Sequence, residues 1–146
     1  MKIAICASIS FYKQLNQAKK DLLARGFEVS IPPLAEEMEK QNDYVYEHYI
    51  DSFYGGDVDG ERPEIIRDLL NKVAIADATL VINEKKHNLP GYIGGNVLME
   101  MGVAFEHSRD IYLLNKPNPG LPYISEINAM QPIILNGDLK RITRKS

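Results

Sequence analysis

The residues of this sequence best suited to chemistry lie in the segment Gly91–Gly102, which reads GYIGGNVLMEMG. The glycine pair Gly94 and Gly95 allows the backbone to come close to a ligand and to adopt positive φ. Asn96 is a good candidate for the N-cap of the helix that follows. Because the first N–H groups of a helix are unpaired and point outward, this segment favours an anion such as a phosphate or a carboxylate.

Glu100 lies one helical turn after Asn96, so the two side chains share a face of the predicted helix. Leu98 and Met101 belong to the buried stripe of that helix, which places Glu100 toward the carboxyl edge of the sheet. A carboxylate there can attack an anomeric carbon or accept a hydrogen bond from a ribose hydroxyl. The alternative is a glutamate near the helix start that only complements the helix dipole.

Two further segments are expected to face the same crevice. Ser8, Ile9 and Ser10 follow the first predicted strand, and the two serine hydroxyls are either ligands for a phosphate or ribose or ordinary turn residues. Tyr92 and an aromatic insert can cover a base, since flat rings stack on flat rings. The alternative is that the insert packs against the sheet edge or a second subunit. The insert contains Tyr44, Tyr46, Tyr49, Phe53 and Tyr54.

Other known motifs do not fit these residues. The glycine-rich segment lacks the Gly-Lys-Ser/Thr of a P-loop, and no Gly-x-Gly follows the first strand as in a dinucleotide fingerprint. His48, His87 and His107 are scattered without ligand spacing, so no metal site is predicted. The segment Gly55–Gly60 ends in Asp-Val-Asp-Gly, but it lacks the liganding pattern of an EF-hand and is predicted to be a turn or loop.

The elements that position these residues alternate between strands and helices. Apolar stripes predict one helix from Phe11 to Leu22, with Gly26 as its C′ residue, and a second helix that begins at Pro63. Shorter helices are predicted over Glu36–Lys40, over the aromatic insert up to Ser52, and over Tyr123–Met130. The alternation predicts a doubly wound α/β sandwich with a five-stranded parallel sheet in the order 2-1-3-4-5. Its strands are predicted at Lys2–Ala7, Phe27–Ile31, Ala78–Ile82, Asp110–Leu114 and Ile133–Leu135.

Length and composition indicate one globular domain spanning residues 1–146. The net charge of −3 argues against non-specific duplex binding, so no nucleic-acid partner is expected. Cys6 has no cysteine partner and is predicted to pack as a small buried hydrophobe. No apolar run approaches the about 20 residues that span a bilayer, and the start lacks a signal-peptide pattern. A cytoplasmic protein without a membrane partner is therefore the expectation.

Several of these segments together resemble the nucleoside 2-deoxyribosyltransferase superfamily, which includes the deoxynucleoside 5′-monophosphate N-glycosidases. The resemblance covers roughly Lys2–Leu135, and its most specific part is the Glu-x-Gly-x-Ala helix with the glycine turn before it. The segments that carry it are Ser8-Ile9 after the first strand, Ala76-Asp77-Ala78, Glu100-Met101-Gly102-Val103-Ala104 and Ile111-Tyr112-Leu113-Leu114.

The resemblance implies a flavodoxin-like fold and a homodimer or higher homo-oligomer whose sites are completed by a neighbouring subunit. It implies a small-molecule nucleoside or nucleotide substrate and no metal or organic cofactor. In the family the glutamate of this helix attacks C1′ of the deoxyribose and the base leaves, a role that falls on Glu100. The loop after the first strand lines the sugar or phosphate pocket, which assigns Ser8 and Ile9 to it.

The chain departs from the family pattern at three places. The aspartate that often precedes the nucleophile by six residues is replaced by Gly94, and the strand-one tyrosine of some transferases by Ala4. The catalytic aspartate eight residues before Asp77 is replaced by Leu69, and the adjacent Asp68 takes that role if the helix shifts by one residue. Asp77 itself is expected to be structural, at a helix–strand junction.

Three hypotheses follow. The first is an enzyme that cleaves or transfers at the N-glycosidic bond, with Glu100 as nucleophile and Ser8, Ile9, Ser10, Tyr92, Gly94, Gly95 and Asn96 binding the substrate. The second is a binding module for a nucleotide or nucleotide sugar, which the absent aspartates favour. The third, a flavodoxin-type electron carrier, is disfavoured because the loop Cys6–Ser10 has no glycine.

Overall fold

The computed structural model describes residues 1–56 and 62–144, so the predicted loop Gly55–Gly60 lies outside the described residues from position 57 onward. All neighbouring strands pair in parallel in the order β2-β1-β3-β4-β5, which confirms the predicted topology. The strands are β1 (Lys2–Ala7), β2 (Glu28–Ser30), β3 (Ala78–Ile82), β4 (Asp110–Leu113) and β5 (Ile133–Ile134).

Helices cover both faces of this sheet, as in flavodoxin-like proteins. Short 3₁₀ turns occupy Ile9–Phe11, Tyr46–Tyr49 and Leu139–Arg141. The helices are α1 (Tyr12–Ala24), α2 (Pro33–Gln41), α3 (Ile50–Tyr54), α4 (Pro63–Ile75), α5 (Gly95–Glu106) and α6 (Ile124–Ala129).

The predicted helix boundaries hold where glycine or proline controls the backbone. Gly26 follows the end of α1 with φ of 84°, as expected of a C′ residue, and Pro63 is the first residue of α4. The prediction for α2 was too short, because Pro33 begins that helix rather than only ending the preceding strand. A proline is well suited to the first helical position, where no N–H is needed.

Two apolar clusters lie on opposite faces of the sheet because successive strand residues point in opposite directions. In β1, Ile3 and Ile5 pack with α1 and α2, whereas Ala4 and Cys6 pack with α4, α5 and α6. Cys6 is buried, as predicted. Among the helices of the described residues, none combines the length and apolar character needed to cross a bilayer.

Side-chain hydrogen bonds hold the two ends of the sheet. At the carboxyl ends of β3 and β4, the buried Asn83 exchanges hydrogen bonds of 2.7 and 2.9 Å with the backbone of Asn115. At the opposite end, Asp77 accepts a 2.7 Å hydrogen bond from the backbone N–H of Lys2, which confirms its structural role. The loops after β1 and β3 therefore leave the sheet side by side, where Ala7 pairs with Ile82.

Candidate functional site

A cavity of about 390 Å³ opens at the carboxyl ends of β1 and β3. Its walls come from the loop after β1, the start of α2, the end of α3, one face of α4, the loop after β3 and the first turns of α5. This is the crevice in which parallel α/β sheets bind ligands. The lining residues that the chemistry uses are Ser8, Ile9, Lys86, Tyr92, Gly94, Gly95, Asn96 and Glu100.

Glu100 is the buried carboxyl group of this cavity, with 4% of its surface exposed. Burial raises the pKa of Glu100 from 4.5 to about 7, because desolvation disfavours the charged form. A hydrogen bond with the thiol of Cys6 opposes this shift. At neutral pH the group is therefore divided between its acid and its carboxylate, which suits nucleophilic or acid–base chemistry.

The start of α5 differs from the prediction. The N-cap is Gly94, in an extended conformation with φ of −88° and ψ of 177°, and Asn96 is the second helical residue. The N-cap role predicted for Asn96 is therefore wrong, because the chain enters the helix two residues earlier. Gly94 has no side chain, so the N-cap residue makes no side-chain hydrogen bond to the first N–H groups of α5.

The positive φ that the glycine pair could have adopted occurs instead at another glycine of the same turn. Neither Gly94 nor Gly95 has positive φ, whereas Gly91 has φ of 72°. A Cβ on Gly91 would clash with the carbonyl oxygen of Lys116, so this glycine permits contact with the loop after β4. Two residues after Gly91, the carbonyl of Ile93 accepts a hydrogen bond from the Tyr123 hydroxyl. This bond holds the turn that leads into α5.

The loop after β1 contributes part of what was predicted. Ser8 and Ile9 line the cavity, whereas Ser10 is exposed and does not. Ser8 accepts a 2.9 Å hydrogen bond from the ammonium group of Lys86, which projects from the loop after β3. The Lys86 ammonium also lies 5.7 Å from the centroid of the Tyr92 ring, a cation–π distance.

Asp68 lies apart from these residues. It forms an ion pair of 3.1 Å with Lys72 one turn later in α4, and 45% of its side chain is exposed. The residue of α4 that lines the cavity at this level is Leu69. Since consecutive helical residues are rotated by about 100°, α4 cannot turn both side chains into the cavity. The one-residue shift that would place Asp68 there is absent in this structure.

Two solved structures are similar to this chain over most of its length. A 2-deoxyribosyltransferase from Bacillus psychrosaccharolyticus matches with a TM-score of 0.51 and 15% sequence identity, over 85% of this chain and 79% of that chain. This chain shares the fold of that transferase. A structure of the Clostridium botulinum CMP N-glycosidase matches with a TM-score of 0.48 and 14% identity, over 93% of this chain and 90% of that chain. No protein-family model and no curated protein matches the sequence.

The fold shared with the transferase confirms the fold that the resemblance implied, while the roles of single residues rest on the geometry of this chain. Sequence reasoning did not find Lys86, because it lies in a polar segment, and polar loops are usually part of the surface. The available signal was its position just after the carboxyl end of a central strand. It also did not find the contact between Cys6 and Glu100, which joins elements far apart in the chain.

The aromatic insert contributes both to the cavity wall and to the buried core, and its role as a cover over a base stays a prediction. Phe53 and Tyr54 line the cavity, with ring centroids 5.3 Å apart. Tyr49 is buried, and its hydroxyl donates a 2.6 Å hydrogen bond to the carbonyl of Asp43. The insert therefore packs onto the core and also supplies an aromatic wall.

Within residues 1–56 and 62–144, no group of three His, Cys, Asp or Glu side chains is placed to hold a metal ion.

Proposed function

We propose that this protein cleaves or transfers at the N-glycosidic bond of a nucleoside or nucleoside 5′-monophosphate, with Glu100 as the nucleophile. The observation that carries the proposal is a buried carboxyl group that faces a cavity at the carboxyl ends of the central strands. The fold shared with a 2-deoxyribosyltransferase supports the same chemistry.

In the proposed reaction, the Glu100 carboxylate attacks C1′ of the sugar. The electron pair of the C1′–N bond leaves with the base, which takes up a proton. Water or a second base then attacks C1′ and gives up a proton, which balances the proton taken up by the first base; the ester bond to Glu100 breaks, and the carboxylate is restored. No organic cofactor or metal enters this scheme.

The remaining lining residues bind the substrate. Asn96 and the backbone of Gly94 and Gly95 lie at the start of α5 and contact the sugar, while Ser8 and Ile9 face it from the loop after β1. Tyr92, together with the wall formed by Phe53 and Tyr54, covers the base. Ser10 and Asp68 lie outside the cavity lining, so a direct role for either requires a rearrangement of its element.

The test is release of free base from deoxynucleosides and their 5′-monophosphates, followed by chromatography. We expect release by the natural protein and its loss, by about a thousandfold or more, in Glu100→Gln. Glu106→Gln is the matched control, because Glu106 is an exposed carboxylate at the end of the same helix. Unchanged release in Glu100→Gln would remove Glu100 from the mechanism.

A second candidate function is a binding module without turnover. It is favoured by Leu69, which lines the cavity where the superfamily pattern places a catalytic aspartate. A binding module predicts thermal stabilisation by a nucleotide or nucleotide sugar with no release of base. Base release by the natural protein would exclude this second function.

A homo-oligomer, a cytoplasmic location and a single domain across residues 1–146 remain predictions that belong to the same proposal. The chain has a mass of 16.5 kDa, so light scattering separates a monomer from a dimer without ambiguity. A monomer under conditions that support activity would show that no neighbouring subunit completes the site.

A further inference from the structure

Lys86 is the cation of the candidate site. Among the described residues that line the cavity, the charged side chains are Lys86 and Glu100. None of the ion pairs formed by the described residues includes Lys86. Its ammonium group is held instead by the neutral hydroxyl of Ser8 and lies over the neutral ring of Tyr92. The positive charge in this cavity is therefore not neutralised by a carboxylate contact.

The contacts with Ser8 and with the Tyr92 ring also fix the position of the Lys86 ammonium group. An ammonium group has three N–H donors, and the bond to Ser8 uses one of them. The Ser8 hydroxyl, while it accepts from Lys86, keeps its own hydrogen to donate to a ligand. Lys86 and Ser8 come from the adjacent loops after β3 and β1, so they present several donors at one place on the cavity wall.

The start of α5 lines the same cavity and adds to the positive electrostatic potential that Lys86 creates there. Gly94, Gly95 and Asn96 line the cavity, and the N-cap residue of this 12-residue helix, Gly94, has no side chain that could cap the first turn. Helix starts attract anions, and a lysine beside one strengthens that preference. A free nucleoside is neutral, whereas a nucleotide carries a phosphate that fits these donors.

We infer that Lys86 and Ser8 together bind the phosphate group of the substrate, so that Lys86 selects a nucleoside 5′-monophosphate over the free nucleoside. This inference rests on the proposed function and adds the substrate class and the residue that determines it. Lys86 acts in it as a specificity-determining residue, and the bond-breaking chemistry stays with Glu100.

The test compares kcat/KM for a deoxynucleoside and its 5′-monophosphate in the natural protein and in Lys86→Met. We expect the natural protein to prefer the monophosphate, and Lys86→Met to reduce that preference by about 10- to 100-fold, the usual effect of losing a charged hydrogen bond. Lys86→Arg should keep part of the preference. Lys85→Met is the matched control, since Lys85 is the exposed neighbour and does not line the cavity.

A binding measurement separates this inference from the proposed function. We expect the deoxynucleoside monophosphate to bind Glu100→Gln, measured by calorimetry, at least tenfold more tightly than it binds the Lys86→Met and Glu100→Gln double variant. Base release from both substrates with the same kcat/KM in the natural protein and in Lys86→Met would overturn the inference and leave the proposed function intact. Tight, Lys86-dependent binding without any base release would overturn the proposed function and retain the phosphate site.

Discussion

The thiol of Cys6, in the central strand β1, lies near the carboxyl group of Glu100 in α5, and each group shifts the pKa of the other. Both side chains are buried, with 1% and 4% of their surfaces exposed. The contact works in opposite directions on the two groups: it lowers the pKa of Glu100, and the nearby carboxylate helps burial to raise the pKa of Cys6. Cys6 therefore remains a thiol and supports the ionised form of Glu100.

The first prediction concerns the pH dependence of base release. A nucleophilic Glu100 must be ionised, and its pKa is about 7, so kcat/KM should rise tenfold per pH unit below 7 and level off above about 8. The profile is measured with the natural protein on a deoxynucleoside and on its monophosphate, because the monophosphate has an ionisation of its own near pH 6. A rise centred near pH 4.5 for both substrates would show that the active carboxyl group is not buried.

The second prediction concerns Cys6. Cys6→Ala removes the donor that lowers the pKa of Glu100, so the rise in kcat/KM should move to higher pH. Cys6→Ser keeps a donor of similar size and should stay closer to the natural profile. The pH profiles of the two variants test this directly. Identical profiles for Cys6→Ala and the natural protein would show that the thiol does not influence Glu100.

The third prediction concerns stability. Since the folded-state pKa of Glu100 is raised above its value in the unfolded chain, the folded protein binds more protons between about pH 4.5 and 7. The contribution of Glu100 to stability is therefore fully present below pH 4.5 and is lost as the pH rises through about 7. Glu100→Gln removes this loss and should raise the free energy of unfolding at pH 8 by on the order of 3 kcal/mol.

The comparison is made by urea denaturation of Glu100→Gln and the natural protein at pH 8 and pH 4. The difference between them should shrink at pH 4, where Glu100 is protonated in both states. Glu106→Gln, an exposed carboxylate in the same helix, should show no such pH-dependent difference. A natural protein more stable than Glu100→Gln at pH 8 would mean that the buried carboxylate has a compensating partner.

The fourth prediction separates two glycines of the same turn. Gly91→Ala should lower the free energy of unfolding by about 2 kcal/mol or more, because its φ is positive and the added Cβ meets the Lys116 carbonyl. Gly95→Ala should leave it unchanged or raise it by up to about 1 kcal/mol, since this helical position has open space around it. Equal destabilisation of both variants, measured by thermal or urea unfolding, would contradict the backbone geometry described for this turn.

Local patterns in the sequence were sufficient to predict the sheet. The continuous apolar runs of β1 and β3 indicated strands buried on both faces, and the alternation of strands with helices predicted the parallel sheet in the order 2-1-3-4-5 that the structure shows. The same reasoning put Glu100 at the carboxyl edge, because its place on α5 follows from helical periodicity. Gly26 and Pro63 were predictable because their backbone chemistry acts within a few residues.

The sequence by itself thus determined the architecture of this protein and the position of Glu100 on α5. Only the tertiary structure decided which side chains share the cavity with that residue. Ser8 and Lys86 are 78 positions apart, and they meet because β1 and β3 pair in one register. The rotation of α4 turns Leu69 rather than Asp68 into the cavity. Such contacts depend on register and helix rotation, which long-range packing sets and no local pattern records.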